Sequence, residues 1–369
     1  MAKITYVFSN GRANKLDSKS ETAKEFFYGY FNFLNNGHDL NIIEFNLKTV
    51  SKLNFFYLFD RILNQFFSLP SSTHKITSKS NLKLMKSSDL IILVNEKVGF
   101  SCFFLLLALK ITNNKSKIAL FSMGLYSKNI EFKLFVQIHK LFINLLVYLI
   151  DSVIFLGEPE YKKAVQQTNK QKHKFHFLPF SIDENFWKIS KKVKKEYILF
   201  IGNDGNRDYD MLISISSLLK NERFLFVSNN EKLQSINKSN VKVLKGDWGK
   251  NLLSDIQIRD IYSKAKMTIV PLKNTFQPSG QSVSLQSMSM GVPVVISKTF
   301  GFWDEQNYKN EENIIFVNNS KVECWKDSIN KLLNEDKLYK QISKNGKNTI
   351  KNFYTCEEFY IKLLKIVKI

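Results

Sequence analysis

The stretch TIVPLKNTFQPSGQSVSLQSMSMGVPVVIS, residues 268–297, decides the fold. Its first apolar run is followed by a loop that ends in PSG, a segment rich in Ser and Gln, and a second apolar run. This pattern predicts a strand, a helix that begins near Ser279 to Gln281 and ends at Gly291, and another strand. The chain contains 54 Lys and Arg, but no charged residue lies between positions 276 and 297.

Further apolar runs typical of buried strands extend on both sides of this stretch. One series occupies residues 3–8, 39–45, 89–94, 117–121 and 151–156, and a second occupies residues 197–202, 223–227, 241–244, 267–272, 292–297 and 313–317. Short apolar runs that alternate with helical patterns predict parallel sheets covered on both faces. We therefore predict an α/β fold of two doubly wound, Rossmann-like domains, residues 1–187 and 188–355, which face each other across a ligand-binding cleft.

The N-terminal sequence, MAKITYVFSNG, predicts a strand rather than a secretion signal. A helix should follow from Ser18, with Glu21 at the capping-box spacing, to Asn36 and Gly37. No window reaches about 18 uncharged apolar residues, the length that predicts a membrane-spanning helix. These features predict a protein that stays in the cytoplasm.

Three cysteines, Cys102, Cys324 and Cys356, are far apart and show neither a disulfide framework nor the spacing of a zinc site. The net charge of +21 comes mainly from Lys that is dispersed among Asn and Ile. Dispersed Lys favours attraction to anionic lipid or to a phosphorylated substrate over a nucleic-acid interface, so we expect no nucleic-acid partner.

Two segments, residues 54–70 and 132–150, are unusually rich in Phe and Leu and carry an occasional charge. Amphipathic helices that lie on a membrane surface have this composition. Helices that are buried against a sheet have it as well, because a chain with 14% aromatic residues must bury its rings somewhere. The sequence leaves both interpretations open.

The segment that follows the PSG loop has the chemistry of an anion site. A helix N-terminus presents unpaired N–H groups and a partial positive charge, and glycine lets an anion approach the backbone. Ser279, Ser282 and Gln286 stand at i, i+3 and i+7, so that Ser282 could donate to a phosphate and Gln286 could bind a ribose hydroxyl. The solvated polar face of an ordinary helix would show the same spacing.

The order PSGQSVSLQSMSMGVPVVIS resembles the donor-site signature of the GT-B glycosyltransferases, in particular the family 4, or group 1, type. The resemblance implies an N-terminal acceptor domain, a C-terminal domain that binds a nucleotide diphosphate sugar, and a final helix, residues 356–369, that crosses back to the first domain. Together with their positions after strands, it indicates a set of donor-binding residues, which are Gly202, Asn203, Arg207, Lys273, Ser279, Gly280, Gln281, Ser282, Val283 and Gln286. Arg207 could instead pair with Asp204, Asp208 or Asp210 at the same helix start, and Lys273 could be a solvated loop lysine. The resemblance also implies a phosphate-contacting loop in the first domain, formed by Asn10, Gly11 and Arg12.

The sequence departs from the family pattern at three places. Two acids of the family align with Pro278 and Gln286, and the loop looks like the SGQ type of divergent members. The family's histidine near the reacting carbon has no evident counterpart, and Met123 and Gly124 stand in the segment where it would be expected. An amide can still accept a ribose hydroxyl at position 286, but the sugar contact expected at position 278 must come from elsewhere.

Proton transfer from the acceptor has two possible routes. An inverting enzyme needs a base, for which Glu96 is the candidate, with Asn95 and Glu158 at neighbouring strand ends. A retaining enzyme needs none, because the leaving phosphate can accept the proton, and the missing acids favour retention. GT-B enzymes bind the donor with helix ends and basic side chains, so we expect no metal, and the DYD at residues 208–210 suits a helix cap.

The sequence therefore predicts a glycosyltransferase that uses a UDP- or GDP-sugar as co-substrate, without a further cofactor, and acts on a glycan or lipid-linked acceptor in polysaccharide or lipopolysaccharide synthesis. Its place of action would be the cytoplasm or the cytoplasmic face of the inner membrane, with peripheral contact to anionic lipid. Two alternatives remain open at this point. One is a relative without catalytic activity that binds a sugar nucleotide or a membrane, and the other is a sugar-nucleotide 2-epimerase.

Overall fold

The computed structural model describes residues 1–17, 21–46, 53–127, 133–168, 170–189, 193–246, 252–318 and 321–369. The chain divides into two compact units: unit 1 is Met1–Ser18, Phe27–Pro179 and Tyr360–Ile369, and unit 2 is Lys19–Phe26 and Phe180–Phe359. Each unit is built on one six-stranded parallel sheet, so the predicted α/β fold of two doubly wound domains is confirmed. The division falls after Pro179, ahead of the boundary predicted at residues 187 and 188.

Unit 1 has the strand order β2-β1-β3-β4-β5-β6, and every pair of neighbours is parallel. Its strands are β1 Lys3–Val7, β2 Asp39–Ile43, β3 Leu90–Leu93, β4 Lys117–Ser122, β5 Ser152–Phe155 and β6 Phe175–Phe177. Its helices are α1 Arg12–Asp17, α2 Tyr30–Asn35, α3 Phe55–Phe66, α4 Lys79–Lys86, α5 Glu96–Ser101, α6 Phe103–Ile111, α7 Lys133–Tyr148 and α8 Glu158–Gln167. Short 3-10 helices lie at Glu25–Phe27, Thr73–Lys75 and Lys172–Lys174.

Unit 2 has the strand order β12-β11-β10-β7-β8-β9, again parallel throughout. Its strands are β7 Tyr197–Ile201, β8 Phe224–Val227, β9 Val241–Leu244, β10 Ala265–Val270, β11 Val294–Ser297 and β12 Ile315–Val317. Its helices are α9 Tyr209–Leu218, α10 Glu231–Gln234, α11 Asp255–Lys264, α12 Gln281–Ser289, α13 Val322–Asn334 and α14 Asp336–Phe353. A last helix, α15 Cys356–Val367, begins in unit 2 and continues into unit 1.

All eleven predicted strands are present, and among the described residues the prediction missed only β6, in which His176 interrupts the apolar run. The first predicted helix is wrong in its extent, and its predicted start at Ser18 lies outside the described residues. Only Tyr30–Asn35 is α-helical, because the preceding residues Tyr28 and Gly29 have φ angles of 51° and 83°. Such left-handed conformations cannot continue a right-handed helix.

Each sheet has one point at which the direction of strand addition reverses. In unit 1 it lies between β1 and β3, and in unit 2 it lies between β7 and β10. The loops that leave these adjacent strands in opposite directions open a crevice at the carboxyl edge, where ligands of doubly wound sheets bind. The candidate site residues that follow β1, β3, β7 and β10 therefore lie at these switch points.

Helices α3, α6 and α7 of unit 1 pack against one another through aromatic rings. The ring of Phe59 on α3 lies 5.0 Å from Phe104 on α6 and 6.3 Å from Phe142 on α7, measured between centroids. Within the described part of the chain, no helix is long and apolar enough to span a bilayer.

A buried carboxylate fixes the connection that follows α3. Asp60 is 3% exposed, and its oxygens accept hydrogen bonds from the hydroxyl of Ser71 at 2.5 Å and the backbone N–H of Thr73 at 2.7 Å. The backbone N–H of His74 donates to the same carboxylate at 3.0 Å, and the ring Nδ1 of His74 lies 2.6 Å from it. Removal of this side chain would leave several buried donors without an acceptor.

We expect Asp60→Ala to lower the free energy of unfolding by about 3 kcal/mol, because each abandoned buried donor costs about 1–3 kcal/mol. Chemical denaturation followed by circular dichroism measures this change. Asp336→Ala is the control, since Asp336 pairs with Lys340 on the surface of α14, and its loss should cost less than about 1 kcal/mol. Equal losses in the two variants would contradict the anchoring role of Asp60.

Candidate functional site

Arg207 lies in the loop after β7, at the switch point of unit 2. Its side chain is buried, and the nitrogen Nε lies 3.1 Å from the carboxylate of Asp204, which is largely exposed. Among the described residues, neither Nε nor Nη1 has a partner in hydrogen-bond geometry. The positive charge of this buried guanidinium is poorly compensated, because some of its donors are unused and its one counter-charge is solvated. Binding of an anion beside it would therefore be favourable.

Two glycines make room for this guanidinium. A Cβ atom on Gly202 would lie 2.4 Å from Nε of Arg207, and a Cβ on Gly280 would lie 3.0 Å from Nη1 and 2.8 Å from Cγ1 of Val270. Gly280 also has a φ of 78°, a left-handed conformation that other residues adopt at a cost. The predicted Gly280 thus brings the N-terminus of α12 next to Arg207.

The loops after β7 and β10 are joined directly. The side-chain amide of Asn206 donates to Oγ of Ser279 at 2.8 Å and to Oε1 of Gln277 at 3.0 Å. The backbone carbonyl of Asn206 accepts from the N–H of Lys273 at 2.8 Å, while the Lys273 side chain is exposed. Arg207, Lys273, Ser279 and the first turn of α12 are therefore brought together at this edge, and their contact with a donor stays a prediction.

Asn203 stands at the same edge but its side chain serves the loops of the protein itself. Its amide nitrogen donates to the carbonyl of Gly246 at 2.7 Å, and its oxygen accepts from Oγ of Ser228 and from the N–H of Asn229. These bonds tie the ends of β7, β8 and β9. All three hydrogen bonds use the side chain of Asn203 and none uses its backbone. A donor-binding role for Asn203 stays a prediction.

Helix α12 has no solvated polar face, because eight of its nine residues are buried and only Ser282 is partly exposed. Two of its hydroxyls bond inside the unit: Ser287 donates to Oγ1 of Thr268 at 2.7 Å, and Ser289 donates to the carbonyl of Trp187 at 2.8 Å. The buried hydroxyl of Ser284 has no hydrogen-bond partner among the described residues. A charge at these positions would have to be buried, which costs several kcal/mol. Burial therefore explains why the segment carries no charged residue.

Gln286, predicted to bind a ribose, is held in a fixed orientation by two neighbours. Its oxygen accepts from the hydroxyl of Tyr262 at 3.1 Å, and its nitrogen donates to Oε1 of Glu25 at 3.1 Å. The indole of Trp187 donates to the same oxygen of Glu25 at 2.7 Å. The ribose contact stays a prediction, and it would have to use the remaining N–H or lone pair of the amide.

Glu25 is a buried acid that sequence reasoning missed. Its side chain is 1% exposed, and its second oxygen, Oε2, has no hydrogen-bond partner among the described residues. Burial raises its pKa to about 7, and the charge of Asp183 acts in the same direction, against the hydrogen bonds from Gln286 and Trp187. Burial therefore moves the pKa of this carboxyl group from the acidic range to near neutral pH.

The segment around Glu25 is docked on unit 2 by its backbone. The N–H of Ala23 donates to the carboxylate of Asp255 at 3.1 Å, and the N–H of Lys24 donates to the carboxylate of Asp183 at 3.2 Å. These bonds explain why residues up to Phe26 group with unit 2 although they precede most of unit 1 in the sequence.

The predicted phosphate loop of unit 1 follows β1. Gly11 has a φ of 80°, and the backbone N–H groups of Arg12 and Ala13 donate to Oε1 of Glu44 at 2.5 and 3.1 Å. The guanidinium of Arg12 lies over the ring of Phe27, 5.7 Å from its centroid. A carboxylate of the chain thus occupies the donors of this short helix, and the phosphate contact of Asn10, Gly11 and Arg12 stays a prediction.

Two carboxylates hold the loop that leaves β4. Glu96, at the start of α5, accepts from the N–H of Met123 at 3.3 Å. Glu160, on α8, is fully buried and accepts from Oγ of Ser122 at 3.0 Å and from the N–H of Tyr126 at 3.1 Å. Burial and the charge of Glu96 raise the pKa of Glu160 to about 8. Glu96 is the more exposed of the two acids, and Glu158 instead forms a surface ion pair with Lys162.

Each unit has a cavity, and only that of unit 2 is lined by a predicted site residue, Lys273. The cavity of unit 1, about 400 Å³, lies between α7 and α8 and is lined by Tyr126, His139, Lys140 and Lys163 together with Val136 and Ile143. That of unit 2, about 550 Å³, is lined by Gly205, Tyr209, Asn229, Lys232 and Lys273. No group of three His, Cys, Asp or Glu in the described ranges is arranged to hold a metal ion.

Comparisons with known proteins agree with this geometry. Residues 181–349 match the family model described as glycosyl transferases group 1, so the predicted resemblance to that family is confirmed over this part of the chain. No curated protein matches the sequence.

Solved structures match over the whole chain. A glycosyltransferase from Rickettsia africae has a TM-score of 0.67 at 13% identity and covers 100% of this chain and 98% of its own. Anabaena Alr3699/HepE in complex with UDP and glucose has a TM-score of 0.69 at 11% identity, with full coverage of both chains. A sucrose-phosphate synthase from Thermosynechococcus elongatus has a TM-score of 0.69 at 12% identity and covers 100% of this chain and 98% of its own. Identities this low establish the fold alone, and the predicted GT-B fold is confirmed.

The raised pKa of Glu25 predicts a pH dependence of stability. The folded chain binds the Glu25 proton more tightly than the unfolded chain, whose glutamates titrate near pH 4.3, so the stabilising effect is present at low pH and is lost as the pH rises through about 7. Between about pH 5 and pH 8 this group should remove about 2.5 kcal/mol from the free energy of unfolding. In Glu25→Gln this component should vanish, as denaturation at the two pH values would measure.

The exposed Glu231 offers a control, since Glu231→Gln removes a carboxylate without removing a buried proton-binding group. It should leave the pH dependence of the wild type intact. The same slope in Glu25→Gln and the wild type would show that Glu25 is ionised throughout this range and would contradict the assignment.

Proposed function

We propose that this protein is a metal-independent glycosyltransferase of the hexosyltransferase type, which transfers a sugar from a UDP- or GDP-sugar to a glycan or lipid-linked acceptor. The observation that carries this proposal is the buried, underpaired guanidinium of Arg207 beside Gly280 and the N-terminus of α12. A cation and a helix N-terminus at the switch point of a doubly wound sheet attract the same ligand, a diphosphate.

In this mechanism, Arg207 and the backbone N–H groups at the start of α12 hold the diphosphate while negative charge builds on it in the transition state. Ser282, which is the partly exposed hydroxyl of the helix, donates to a phosphate oxygen. Lys273 extends from the same edge and adds a second cation. Gln286, oriented by Tyr262 and Glu25, contacts the ribose through its remaining hydrogen-bonding capacity.

The acceptor is proposed to bind unit 1. The cavity between α7 and α8 combines two lysines and a histidine with apolar side chains, a lining that suits a phosphate attached to an apolar or sugar moiety. Such a lining supports a lipid-linked acceptor in polysaccharide or lipopolysaccharide synthesis at the cytoplasmic face of a membrane, where the protein would be peripherally bound.

Binding of a nucleotide is the first test. UDP or GDP at about 100 times its dissociation constant should stabilise the protein by about 2.7 kcal/mol, and a melting screen with UDP, GDP, ADP and CMP measures the shift. In Arg207→Gln the affinity should fall at least about tenfold, because a hydrogen bond to a charged group contributes about 1.5–3 kcal/mol. Arg223→Gln, an exposed arginine of the same unit, should bind as the wild type does.

No shift with any of the four nucleotides would reject the donor site. Nucleotide binding without slow hydrolysis of a UDP- or GDP-sugar, and without turnover on any acceptor extract, would favour the non-catalytic relative. Conversion of the nucleotide sugar to its 2-epimer would favour the epimerase.

The route of the acceptor proton is tested at Glu96. Since the leaving phosphate can accept this proton in a retaining reaction, we expect Glu96→Gln to keep at least about a tenth of the wild-type kcat. Steady-state kinetics measures the rate, and nuclear magnetic resonance of the product reports the anomeric configuration. A loss of about 10²–10⁴ in kcat together with an inverted product would contradict this expectation and identify Glu96 as the base.

A further inference from the structure

Helix α3 exposes one apolar side. Phe55, Leu58, Ile62 and Phe66 are between 43% and 64% exposed, and their spacing of three, four and four residues places them along one stripe of the helix. Beside this stripe, Leu63 is buried and Phe59 contacts α6 and α7. Phe55 and Phe66, at the two ends of the stripe, each touch one ring of these helices at their edge. The sequence left open whether this segment is buried or lies at a surface. In the structure, one side of α3 is buried and another is exposed.

Helices α6 and α7 continue this surface. Leu141, Leu145 and Tyr148 on α7 are between 40% and 55% exposed, and on α6 the exposed side chains are Leu107 and Ile111. The three outward stripes, defined here as the apolar face, hold nine of the nineteen exposed large apolar side chains among the described residues. Scattered apolar side chains are normal on a protein surface, but a concentration on three adjoining helices marks an interaction surface.

The charges on these helices select the partner. The only acid in α3, α6 and α7 is Asp60, which is buried and bonded to Ser71, Thr73 and His74. The exposed charged side chains are basic: Arg61, Lys110 and Lys140. The ammonium of Lys110 lies 5.3 Å from the ring centroid of Tyr148, which joins a cation of α6 to the apolar stripe of α7.

We propose that the apolar face docks on the surface of an anionic lipid bilayer. Apolar side chains on one side of a helix enter the boundary between headgroups and acyl chains, and basic side chains beside them neutralise anionic headgroups. A second copy of the chain fits less well, because a two-fold contact would bring the same cations together, and α3, α6 and α7 themselves carry no exposed acid to pair with them. A membrane surface would suit the lipid-linked acceptor proposed above. The evidence for it is the exposure and charge of the side chains on α3, α6 and α7 alone.

The test is vesicle flotation with the full chain. The wild type should bind vesicles of phosphatidylcholine mixed with phosphatidylglycerol at least about tenfold more tightly than vesicles of phosphatidylcholine alone. The variant Leu58→Ser/Ile62→Ser should lose at least about tenfold in affinity for the mixed vesicles, because it removes two side chains that enter the boundary region. The charge variant Arg61→Gln/Lys110→Gln should lose affinity for the mixed vesicles only.

The matched control is Leu218→Ser/Phe353→Ser, which removes two apolar side chains of 43% and 41% exposure from unit 2. Its vesicle affinity should equal that of the wild type. Wild-type affinity in Leu58→Ser/Ile62→Ser would overturn the proposal. The proposal would also be overturned if the wild type forms a dimer by light scattering, this variant does not, and no form of the protein binds vesicles.

The UDP melting shift of each variant separates this inference from the donor site. Leu58→Ser/Ile62→Ser should keep the wild-type shift, which also shows that the variant is folded. Loss of vesicle binding with a normal shift supports the membrane surface, whereas vesicle binding without any nucleotide shift in the wild type would reject the proposed enzyme and leave the surface standing.

Discussion

The burial of Arg207 is the constraint on which the carboxyl edge of unit 2 depends. A guanidinium cannot be neutralised by losing its proton at ordinary pH, so the protein must accommodate a charge below its surface. It does so with two glycines that leave space and one aspartate that supplies part of the counter-charge. Substitution of either glycine by a larger residue would displace the cation.

The same constraint explains the composition of helix α12. With a positive charge beside its N-terminus, the helix needs no basic side chain of its own for the proposed contact with an anion. Gln286, Ser287 and Ser289 instead form buried hydrogen bonds within unit 2. The segment is thus uncharged because it is buried. Within α12, only the hydroxyl of Ser282 is in reach of solvent.

The fold could be predicted from the sequence because a buried parallel strand is a local apolar run, and Gly and Pro punctuate the loops between strands. The position of Arg207, Ser279 and Gly280 followed from the same logic, since each lies in a loop that follows a strand. The contact of Glu25 with Gln286 could not be predicted in this way, because 261 residues separate the two positions and neither has a local pattern. Likewise, the composition of α3 indicates an amphipathic helix but not how much of its apolar surface remains uncovered. Tyr28 and Gly29, in contrast, interrupted a helix that a capping signal alone had favoured.

Unit 2 is not a continuous piece of the chain. The part that matches the family, residues 181–349, lacks the segment that carries Glu25, although that segment supplies the acceptor for Trp187 and Gln286 and bonds to Asp183 and Asp255. A fragment cut at the family boundaries would leave an indole and an amide without their buried partner. Dissection of this protein into separately expressed halves therefore requires residues 21–26 to be supplied with the C-terminal half, for example as a fused or added peptide.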